Sequence, residues 1–414
     1  MNLSKSNYKI CIIGLGYVGL PLASRFSLKG FDVLGFDINK TRIEELKNSI
    51  DRNKDMNPSE INNLLESCKL TSNEEDLIDS NIFIVTVPTP INSDKTPDLD
   101  PIISSSNLVG KFISRNSIVI YESTVYPGVT DDICTPILEE KSGLIINQDF
   151  FTGYSPERIV PGDKVNTIEK IKKVVSGSSP EALEVIAFLY SSIIDAGIHL
   201  APSIKIAEAS KVTENIQRDV NIALINELHQ MYTLLGIDTH QVIEAASTKW
   251  NFMKLKPGLV GGHCISIDPY YLMHKSMMIG YTPNLMRTAR NINDGMGEWV
   301  IKLFLKFIKK KNIDLSSINI TFLGYTFKEN CSDTRNTKVK DLIHSIKDLD
   351  IKVSLWDPLL EDAELDNLES NGIEVYRSKP DSIEFAFLCV SHREILKFLE
   401  SFEGPLFDYK RIDM

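Results

Sequence analysis

A glycine-rich turn near the start of the chain constrains its fold more than any other feature. The segment KICIIG (9–14) is short, rich in β-branched residues and closed by a glycine, which predicts a buried strand. Gly14, Gly16 and Gly19 then form a GxGxxG pattern at the start of a helical stretch. A second strand is predicted by FDVLGFD (31–37). A strand, a glycine turn, a helix and a strand in this order predict the first βαβ unit of a doubly wound parallel sheet.

The same turn predicts a dinucleotide site. Gly14 permits the tight turn, Gly16 lets the backbone approach a pyrophosphate, and Gly19 lets the helix pack closely on the strand. The helix N-terminus would face the phosphates. Asp37 stands at the tip of the second strand, eighteen residues after Gly19, at the spacing needed to reach a ribose hydroxyl. A glycine turn without a ligand is the alternative, but the strand, helix and acid together favour a dinucleotide.

Asp37 also bears on which dinucleotide binds. A carboxylate at this position would repel a 2′-phosphate, which favours NAD over NADP. Arg42 is near enough in sequence to counter that repulsion, although it could equally line the adenosine pocket. The strength of the preference for NAD therefore stays open.

Composition restricts the partners and the compartment. The 414 residues carry a net charge of −11, which argues against nucleic acid or an anionic membrane as the main partner. No apolar run approaches the ~20 residues of a membrane span, and the N-terminus lacks the apolar stretch of a signal peptide. The six cysteines are scattered without a CxxC pair, which indicates reduced thiols and no metal site. We expect a cytoplasmic globular protein.

Two further apolar segments, NIFIVTVPTPI (81–91) and SIVIYESTVYPG (117–128), predict strands of the same sheet. Ligands of open α/β sheets bind at the carboxyl ends of the strands. Thr89, Ser123 and Thr124 follow these strands and are therefore either site residues or hydroxyls that cap turns. The stretch FFTGYSPERIVPGD (150–163) is interpreted as a loop after another strand, and its Glu157 is a candidate acid or base.

A long helix is predicted for 203–236, where apolar residues recur at helical spacing up to Gly236. Lys211 and Asn215 are four residues apart and so share one face of this helix. Such a pair is usually solvated surface, but it could also serve a site. A second helical run, from about 285 to 311, is predicted to connect two domains.

The C-terminal part predicts a second α/β unit that starts with TFLGYTFKENCSDTRNTKVKDLIHSI (321–346). Lys328 and Arg335 lie in the loop after its first strand, where an anion would bind. No sequence repeat is apparent. The predicted fold class is α/β, with two doubly wound, Rossmann-like domains joined by a long central helix. Further strands are predicted for KVSLWDP (352–358), EFAFLCV (384–390) and GPLFDY (404–409).

A lone cysteine stands in the bare backbone of GLVGGHCISIDPYYL (258–272). Because a thiolate can add to an aldehyde and the adduct can give up a hydride, Cys264 together with NAD suggests oxidation at the aldehyde level. Asp268 and Pro269 are interpreted as the N-cap and first residue of a helix whose positive end would favour the thiolate. We expect Gly261 and Gly262 to clear room for a substrate. Asp268 could be only a helix cap, or a functional acid as well.

From about residue 8 to the C-terminus, the chain resembles the nucleotide-sugar dehydrogenases, the family of UDP-glucose and UDP-N-acetylhexosamine 6-dehydrogenases. The resemblance implies that a sugar CH2OH is oxidised twice, to the carboxylate, with two NAD+ per turnover. It also implies a homodimer, or an oligomer built from dimers, joined through the helix at 203–236. The motifs that carry it are GLGYVGLP, VPTP, ESTVYPG, SPERIVPGD, EASKVTEN, GGHCISIDP and FKENCSDTRN.

The same resemblance implies roles for individual residues. Cys264 matches the nucleophile that forms a thiohemiacetal and then a thioester, and Lys211 and Asn215 match residues that stabilise the oxyanion. Asp268 matches an acid that assists near the cysteine. Glu157 matches a glutamate of thioester hydrolysis, and Thr124, which is also a cofactor contact, a threonine that positions water. The remaining cofactor contacts are Gly14, Gly16, Tyr17, Val18, Gly19, Asp37, Arg42, Thr89, Ser123 and Arg335, and substrate contacts are Glu157, Arg158, Lys211, Asn215, Leu255, Gly258, Gly261, His263, Phe327 and Lys328.

Three regions follow from the resemblance: an NAD-binding domain (1–200), a central helical region for dimerisation and the catalytic cysteine (201–310), and a UDP-sugar-binding domain (311–414). Two departures refine the substrate. UDP-glucose enzymes have a second glutamate where this chain has Pro161, and a serine where His263 stands. Both changes resemble the N-acetylhexosamine branch. The stretch STKWNFMKLKPGLVGGHCISIDPYYL (247–272) is especially similar to the enzymes of that branch that serve capsule, Vi-antigen and O-antigen synthesis.

UDP-GlcNAc is therefore the leading substrate and UDP-GalNAc the next, with UDP-ManNAc and UDP-glucose as alternatives. Near the C-terminus an arginine of the UDP-glucose enzymes aligns with Lys410 or Arg411, so that contact stays ambiguous. Two other functions stay open: a β-hydroxyacid dehydrogenase, which needs no cysteine and makes one NADH per substrate, and a catalytically silent NAD-binding protein. The presence of Cys264, Lys211 and Asn215 disfavours the silent protein.

Overall fold

The computed structural model describes residues 3–159, 167–262, 265–315 and 318–411. Over these residues the chain divides into two compact units. Unit 1 comprises Met1–Glu214 and Tyr270–Tyr281, and unit 2 comprises Asn215–Pro269 and Thr282–Met414. None of the described helices is long and apolar enough to cross a membrane.

Unit 1 is built on a sheet whose described strands run in the order β3-β2-β1-β4-β5-β6-β7-β8. Neighbouring strands are parallel, except that β6 and β7 are antiparallel. The strand order reverses between β1 and β4, which is where a ligand binds in such sheets. The strands are β1 (Lys9–Ile13), β2 (Asp32–Phe36), β3 (Cys68–Thr71), β4 (Ile82–Val85), β5 (Ile118–Tyr121), β6 (Phe151–Tyr154), β7 (Lys173–Gly177) and β8 (Ile198–Leu200).

Helices connect these strands and cover the sheet. The strands β4 and β5 are buried along their whole length, as their unbroken apolar sequences predict for strands covered on both faces. The doubly wound fold predicted for the N-terminal part is therefore confirmed. The helices before the long central one are α1 (Gly19–Leu28), α2 (Lys40–Lys47), α3 (Pro58–Leu65), α4 (Asp100–Gly110), α5 (Thr135–Ser142) and α6 (Pro180–Ser191).

The middle of the chain is helical: α7 (Ile204–Leu235), α8 (Thr239–Ala246), α9 (Asp268–Met278) and α10 (Asn284–Lys311). Helix α7 ends before Gly236, whose φ of +69° is the left-handed conformation that terminates helices. The helices predicted for 203–236 and 285–311 are thus confirmed as helices. The prediction that the second of them connects two domains was wrong, because α10 lies wholly within unit 2 and α7 is the helix that runs from unit 1 into unit 2. Helix α9 begins at Asp268 itself, so this acid is the first helical residue and lies one position further into the helix than the N-cap predicted for it.

Unit 2 contains a second parallel sheet, with the described strands in the order β11-β10-β9-β12-β13. Its core is aromatic, with Phe322 and Phe387 stacked at 4.7 Å between ring centroids. The remaining elements, in chain order, are β9 (Asn319–Leu323), α11 (Val339–Lys347), β10 (Lys352–Trp356), α12 (Asp362–Ser370), β11 (Glu374–Val375), β12 (Phe385–Leu388), α13 (Arg393–Leu399) and β13 (Leu406–Asp408).

Two parts of the predicted fold differ from the structure. The first residues of the 150–163 segment form β6, so the loop starts only after Tyr154. Strands β3, β7, β8 and β11 were not predicted. Strand β11 has only two residues, and β3 and β7 each carry a lysine, so none of these three shows a long apolar run.

Candidate active site

The glycine turn of unit 1 has the backbone that its sequence predicts. Gly14 adopts a φ of +92°, which glycine tolerates, and its N–H donates to the Phe36 carbonyl at 2.8 Å. A Cβ atom on Gly19 would lie 1.9 Å from the Gly14 oxygen and 2.5 Å from Thr86 Oγ1. A Cβ atom on Gly16 would meet nothing within 4 Å. The turn is therefore closed at Gly19 and open at Gly16, which fits the approach of a pyrophosphate.

Asp37 and Arg42 both hold this turn in place. The Asp37 carboxylate accepts hydrogen bonds from the backbone N–H groups of Leu15, at 2.8 Å, and Asn39, at 2.9 Å. Arg42 is buried, donates from Nε to the Leu15 carbonyl at 3.0 Å, and pairs with the buried Asp51 at 2.7 Å. Because Asp51 already balances its charge, Arg42 is poorly placed to attract a 2′-phosphate. This pairing supports the preference for NAD.

Hydroxyl groups join the loops at the carboxyl ends of β4 and β5. Thr89 donates to the Thr124 carbonyl at 2.7 Å, and Ser123 donates to the Val87 carbonyl at 2.6 Å. Thr86 donates to the Gly14 carbonyl at 2.7 Å and so links β4 to the glycine turn. Sequence reasoning missed Thr86, although it directly follows the apolar run of β4. The three predicted hydroxyls do lie at the expected edge of the sheet, and two of them also tie the loops together.

Glu157 lies beyond the end of β6 with its two oxygens in different surroundings. Oε1 accepts hydrogen bonds from the N–H groups of Arg158, at 2.5 Å, and Ile159. Oε2 is buried and has no hydrogen-bond partner among the described residues. Lys173 Nζ lies 3.7 Å from Oε2 and donates to Glu122 Oε2 at 2.6 Å. Sequence reasoning missed Lys173 and Glu122, although Glu122 belongs to the ESTVYPG motif.

Arg158 and Lys211 are the other predicted site residues of this region. The Arg158 guanidinium pairs with Glu214 and donates to the Lys172 carbonyl at 2.9 Å. Lys211 is buried, which is unusual for a lysine on a helix and argues against the solvated-surface alternative. Its burial supports a role in a site.

Asn215 and Asp268 are brought together in unit 2. Asn215 Nδ2 donates to Asp268 Oδ2 at 2.5 Å, and both side chains are buried. The amide nitrogen of asparagine carries two hydrogens, so this bond orients the group and leaves its second hydrogen for another acceptor. The structure thus pairs two residues to which the family resemblance gave separate roles, oxyanion stabilisation for Asn215 and acid assistance for Asp268.

A cavity of about 340 Å³ lies within unit 2. Four lysines line it, Lys256, Lys328, Lys338 and Lys410, and their charges are opposed there by Glu329. A cavity with this excess of positive charge suits a dianionic diphosphate. The predicted contacts Gly258, Gly261, Phe327 and Lys328 all line it, and Leu255 immediately precedes the first lining residue. The lining residues are 256–259, 261, 326–329, 337–339, 389–390 and 409–410.

The loop over this cavity is fixed by Asn226 of α7. The Gly258 N–H donates to Asn226 Oδ1 at 2.9 Å, and Asn226 Nδ2 donates to the Gly258 carbonyl at 3.0 Å. Asn226 also donates to Asn293 Oδ1 at 2.8 Å, and Asn293 donates to the Asp219 carboxylate at 2.8 Å. Asp219 is bound in turn by the buried Arg290 at 2.6 Å. Of these residues only Gly258 was predicted, because polar residues inside a helix, such as Asn226, Asn293, Asp219 and Arg290, carry no distinctive sequence signal.

Gly261 and Gly262 lie close against neighbouring residues of unit 2. A Cβ atom on Gly262 would lie 2.8 Å from the Phe327 ring, and one on Gly261 would lie 2.6 Å from the Asn336 carbonyl. Gly262 also has a φ of +85°. That these glycines clear room for a substrate stays a prediction, and Gly261 itself lines the cavity. They make room for Phe327 and Asn336, which line or adjoin the cavity.

A buried His–Asp pair supports the other loop of the cavity. Asp357, at the end of β10, accepts hydrogen bonds from the N–H groups of Tyr325, at 2.6 Å, and Thr326, at 3.1 Å. His392 Nε2 lies 3.1 Å from Asp357 and 3.0 Å from Thr326 Oγ1. Burial raises the pKa of Asp357, but His392 and the backbone donors outweigh it and hold the pKa below its usual value. These contacts fix the start of the loop that carries Phe327 and Lys328.

Two further predicted positions lie near this cavity. Arg335 makes a two-pronged ion pair with Asp333, at 2.9 Å and 2.6 Å. Of the two residues that align ambiguously, Lys410 lines the cavity, whereas Arg411 contacts His240 at 3.4 Å. Lys410 is therefore the better placed of the two for an anion. The predicted residues His263 and Cys264 lie outside the described residues.

Comparison with known proteins identifies three family regions along the chain. Models of the UDP-glucose/GDP-mannose dehydrogenase family match residues 8–194 as its NAD binding domain, 205–295 as its central domain and 321–411 as its UDP binding domain. The chain is 52% identical to the UDP-N-acetyl-D-glucosamine 6-dehydrogenase of Pseudomonas aeruginosa, over 84% of this chain and 82% of the relative. It is 49% identical to the protein of the same name from Salmonella typhi, over 93% and 90% of the two chains.

A solved structure shows the same architecture. The UDP-D-ManNAc dehydrogenase of Pyrococcus horikoshii superimposes with a TM-score of 0.83 at 30% sequence identity. The match covers 96% of this chain and 93% of that protein. Relatives whose names contain different sugars therefore share this fold.

Proposed function

We propose that this chain, which belongs to the UDP-glucose/GDP-mannose dehydrogenase family, oxidises C6 of a UDP-N-acetylhexosamine from alcohol to carboxylate with NAD. UDP-GlcNAc is the favoured substrate and UDP-GalNAc the next, with UDP-ManNAc and UDP-glucose as alternatives. The observation that carries the sugar class is the name shared by the two relatives at about 50% identity. The product would serve bacterial surface polysaccharide synthesis, such as that of capsules and O-antigens.

Residues of unit 1 fit the cofactor that the family's NAD binding domain implies. The open backbone at Gly16 would receive the pyrophosphate, and Asp37 would bind a ribose hydroxyl. Thr89, Ser123 and Thr124 lie at the carboxyl ends of the neighbouring strands, where the nicotinamide half would lie. NAD+ accepts a hydride in each of the two oxidations.

Residues of unit 2 fit the nucleotide part of the substrate. Lys256, Lys328, Lys338 and Lys410 would balance the charge of the diphosphate in their shared cavity. The loop held by Asn226 and the loop held by Asp357 both contribute to the cavity lining. We assign the UDP part of the substrate to this cavity.

The remaining predicted residues would carry out the oxidation. Lys211 and Asn215 would stabilise the alkoxide as it forms and loses a hydride, because each presents N–H donors. The resulting aldehyde would react with the Cys264 thiolate to give a thiohemiacetal, and loss of a second hydride would give a thioester. Asp268 orients Asn215 through their hydrogen bond.

Glu157 would then act in hydrolysis. Its Oε2 is buried without a hydrogen-bond partner among the described residues, so it can accept a proton from the attacking water. Thr124 would help to position that water. Hydrolysis would release the uronate and regenerate the thiolate.

The test is turnover of the purified protein with NAD+ and each of UDP-GlcNAc, UDP-GalNAc, UDP-ManNAc and UDP-glucose, followed by NADH absorbance. We expect NADH from an N-acetylhexosamine and two NADH per sugar consumed. NADH from UDP-glucose alone would contradict the proposed substrate class. One NADH per substrate would favour the β-hydroxyacid type of reaction, and NAD binding without turnover would favour a silent protein.

Two further properties belong to the proposal. We propose a homodimer, or an oligomer of dimers, because α7 exposes large apolar residues in its second half. We also propose a cytoplasmic location, because Cys11, Cys68, Cys134 and Cys389 are buried free thiols, as in a reducing compartment.

A further inference from the structure

A cluster of buried ionisable groups surrounds Glu157 in unit 1. Glu122 is 1% exposed, Lys173 is 3% exposed and Glu157 is 7% exposed. Lys173 Nζ lies 2.6 Å from Glu122 and 3.7 Å from Glu157, so one ammonium group serves two carboxylates. The Tyr190 hydroxyl donates to the other oxygen of Glu122.

The topology of the sheet explains how these side chains meet. Glu122 directly follows β5, and Glu157 follows β6, so both lie at the carboxyl edge of the sheet. Strand β7 is antiparallel to β6, and its first residue, Lys173, therefore starts at this same edge. The only antiparallel pairing among the described strands of this sheet thus delivers a cation between the two acids.

A structural role alone explains this cluster poorly. Buried ion pairs are weak contributors to stability, because removing charges from water offsets most of their attraction. Two acids and one base also leave a net negative charge inside the protein. Burial raises the pKa of Glu122, as does the charge of Glu157, while Lys173 opposes both effects. The pairing of Glu122 with Lys173 therefore determines how much positive charge acts on Glu157 Oε2.

We propose that Glu122 is a positioning residue for thioester hydrolysis. Its carboxylate pairs with Lys173, so that the lysine holds Glu157 in place while Glu157 remains able to accept a proton. This inference rests on the proposed function. In the hydrolytic step a water O–H bond breaks and its proton passes to Glu157 Oε2. The water oxygen bonds to the thioester carbon, and the C–S bond breaks with its electron pair leaving on the Cys264 sulfur. The Lys173 side chain takes no part in this proton transfer.

The other charged or titratable groups near Glu157, among the described residues, cannot take over the effect of Glu122 on Lys173. Arg158 is adjacent in sequence, but its guanidinium is paired with Glu214 of α7 and bound to the Lys172 carbonyl. Tyr190, on α6, is fully buried, and burial and the Glu122 charge raise its pKa well above the usual value. Tyr190 therefore stays neutral and acts only as a donor to Glu122. Lys173 is the cation that Glu122 can share with Glu157.

Two variants separate this role from simple packing. Glu122→Gln keeps the shape of the side chain but leaves the Lys173 charge to act on Glu157 alone. We expect the acid limb of the turnover pH profile to move down by about one to three pH units, the effect of an opposite charge at this range. Glu122→Gln/Lys173→Met then removes that cation. We expect the acid limb of the double variant to lie at a higher pH than that of Glu122→Gln.

The kinetics should localise the effect to hydrolysis. In Glu122→Gln the rapid formation of NADH should persist as a burst, while steady turnover at the plateau falls by roughly tenfold because Glu157 is a weaker base. Glu184→Gln removes a charge from the exposed side of α6 and serves as the matched control, with an unchanged profile. Tyr190→Phe, a smaller change, should move the acid limb in the same direction as Glu122→Gln but less far.

A measurement without substrate separates this inference from the proposed function. The carboxyl groups of protein labelled with 13C-glutamate can be titrated by NMR, with Glu157→Gln identifying the Glu157 signal. We expect Glu157 to ionise at lower pH in Glu122→Gln than in the parent protein. If no UDP-sugar gives NADH, the proposed function fails while this titration still decides the role of Glu122. The proposal would be overturned if Glu157 ionised at the same or a higher pH in Glu122→Gln than in the parent protein. It would also be overturned if the double variant did not reverse the downward shift of the acid limb.

Discussion

Glu157 shows how the surroundings of a single residue can define its chemistry. One oxygen is held by two backbone N–H groups, and the other is buried without a hydrogen-bond partner among the described residues. Glu157→Gln keeps the shape but cannot accept the proton of water. We expect turnover to fall by at least about a hundredfold, while a burst of NADH persists and a UDP-sugar acyl group accumulates on the protein. Rapid-mixing absorbance and intact mass spectrometry would check this. In Glu157→Gln/Cys264→Ala that adduct should be absent, because residue 264 then has no nucleophilic atom, and an adduct found there would place the nucleophile elsewhere.

Glu208 is a residue whose ionisation should affect stability. It lies on α7, is fully buried, and accepts hydrogen bonds from the N–H groups of Gly128, at 2.6 Å, and Thr130, at 2.9 Å. Burial raises the pKa of Glu208 to about 7, although these two donors oppose the shift. A carboxyl group with a raised pKa binds its proton more tightly in the folded state. Its stabilising effect is therefore complete below the pKa of the unfolded chain and is lost as the pH rises through about 7.

Glu208→Gln should remove this pH dependence. Between about pH 4.5 and 7.5 we expect the parent protein to lose about 3 kcal/mol of stability relative to the variant. Thermal unfolding of both proteins across this range, with Glu184→Gln as a control on an exposed position, would measure the difference. Parallel curves for the parent and Glu208→Gln would contradict the assignment.

Residues with a local sequence signal were predictable, and residues recruited by the topology were not. Gly14, Gly19 and Asp37 could be assigned because the GxGxxG turn and the acid at a strand tip have fixed spacings. Lys173 and His392 could not, because each acts through a partner distant in sequence that only the sheet order brings near. Cys264 was predicted from its glycine-rich setting and from family resemblance, and it lies outside the described residues.

At the scale of elements, α7 organises the loop over the cavity of unit 2. Asn226 forms two hydrogen bonds with the backbone of Gly258 and one with Asn293. Asn226→Asp keeps the acceptor for the Gly258 N–H but loses both donated bonds. Because an unsatisfied buried group costs about 1–3 kcal/mol, we expect KM for the UDP-sugar to rise by roughly tenfold, with KM for NAD unchanged. Steady-state kinetics would test this.

Asn221→Asp provides the matched control on the same helix. Asn221 donates only to the Gln217 carbonyl within α7, on the exposed side. We expect its substitution to leave both KM values unchanged. If Asn226→Asp changed kcat and both KM values equally, a general disturbance of folding would explain the result better than loss of the loop contact.

Elements with a clear period were predicted, and those without one were missed. Helix α7 carries apolar residues at helical spacing and a terminal glycine, and both of its ends were placed within one residue. The two-residue β11 and the lysine-containing β7 have no such period. Their places in the sheets come from pairing with neighbouring strands, which is a tertiary effect.

At the scale of the whole molecule, the two units share one structural arrangement, although no sequence repeat is apparent. Gly14 and Gly324 both have a positive φ and donate to the last residue of the next strand, Phe36 at 2.8 Å and Trp356 at 2.9 Å. Asp37 and Asp357 then accept a hydrogen bond from the residue after each glycine. When the strands of each sheet are numbered in chain order from its own first strand, both sheets contain the order 3-2-1-4-5.

The shared arrangement is used differently in the two units. Asp37 is half-buried at the strand tip, whereas Asp357 is buried against His392. A nucleotide ribose could therefore be bound by Asp37 but not by Asp357, which serves to hold its loop. Sequence reasoning predicted both doubly wound folds, because each is encoded by apolar strands and glycine turns. It could not predict the difference in use, because that depends on a histidine thirty-five residues away.

The last prediction concerns the assembly of whole chains. In the second half of α7, Leu224, Met231 and Leu235 are 51%, 48% and 64% exposed and share one face at spacings of seven and four residues. A monomer would leave this stripe in water, so we expect it to be covered by a second copy of the chain. Leu235→Asp would place a charge in that contact. Sedimentation at micromolar concentration should show a dimer for the parent protein and a monomer for the variant, with Leu28→Asp, at an exposed position of α1, still dimeric. A monomeric parent protein would refute the proposed dimer, because the exposed stripe would then have no partner in this chain.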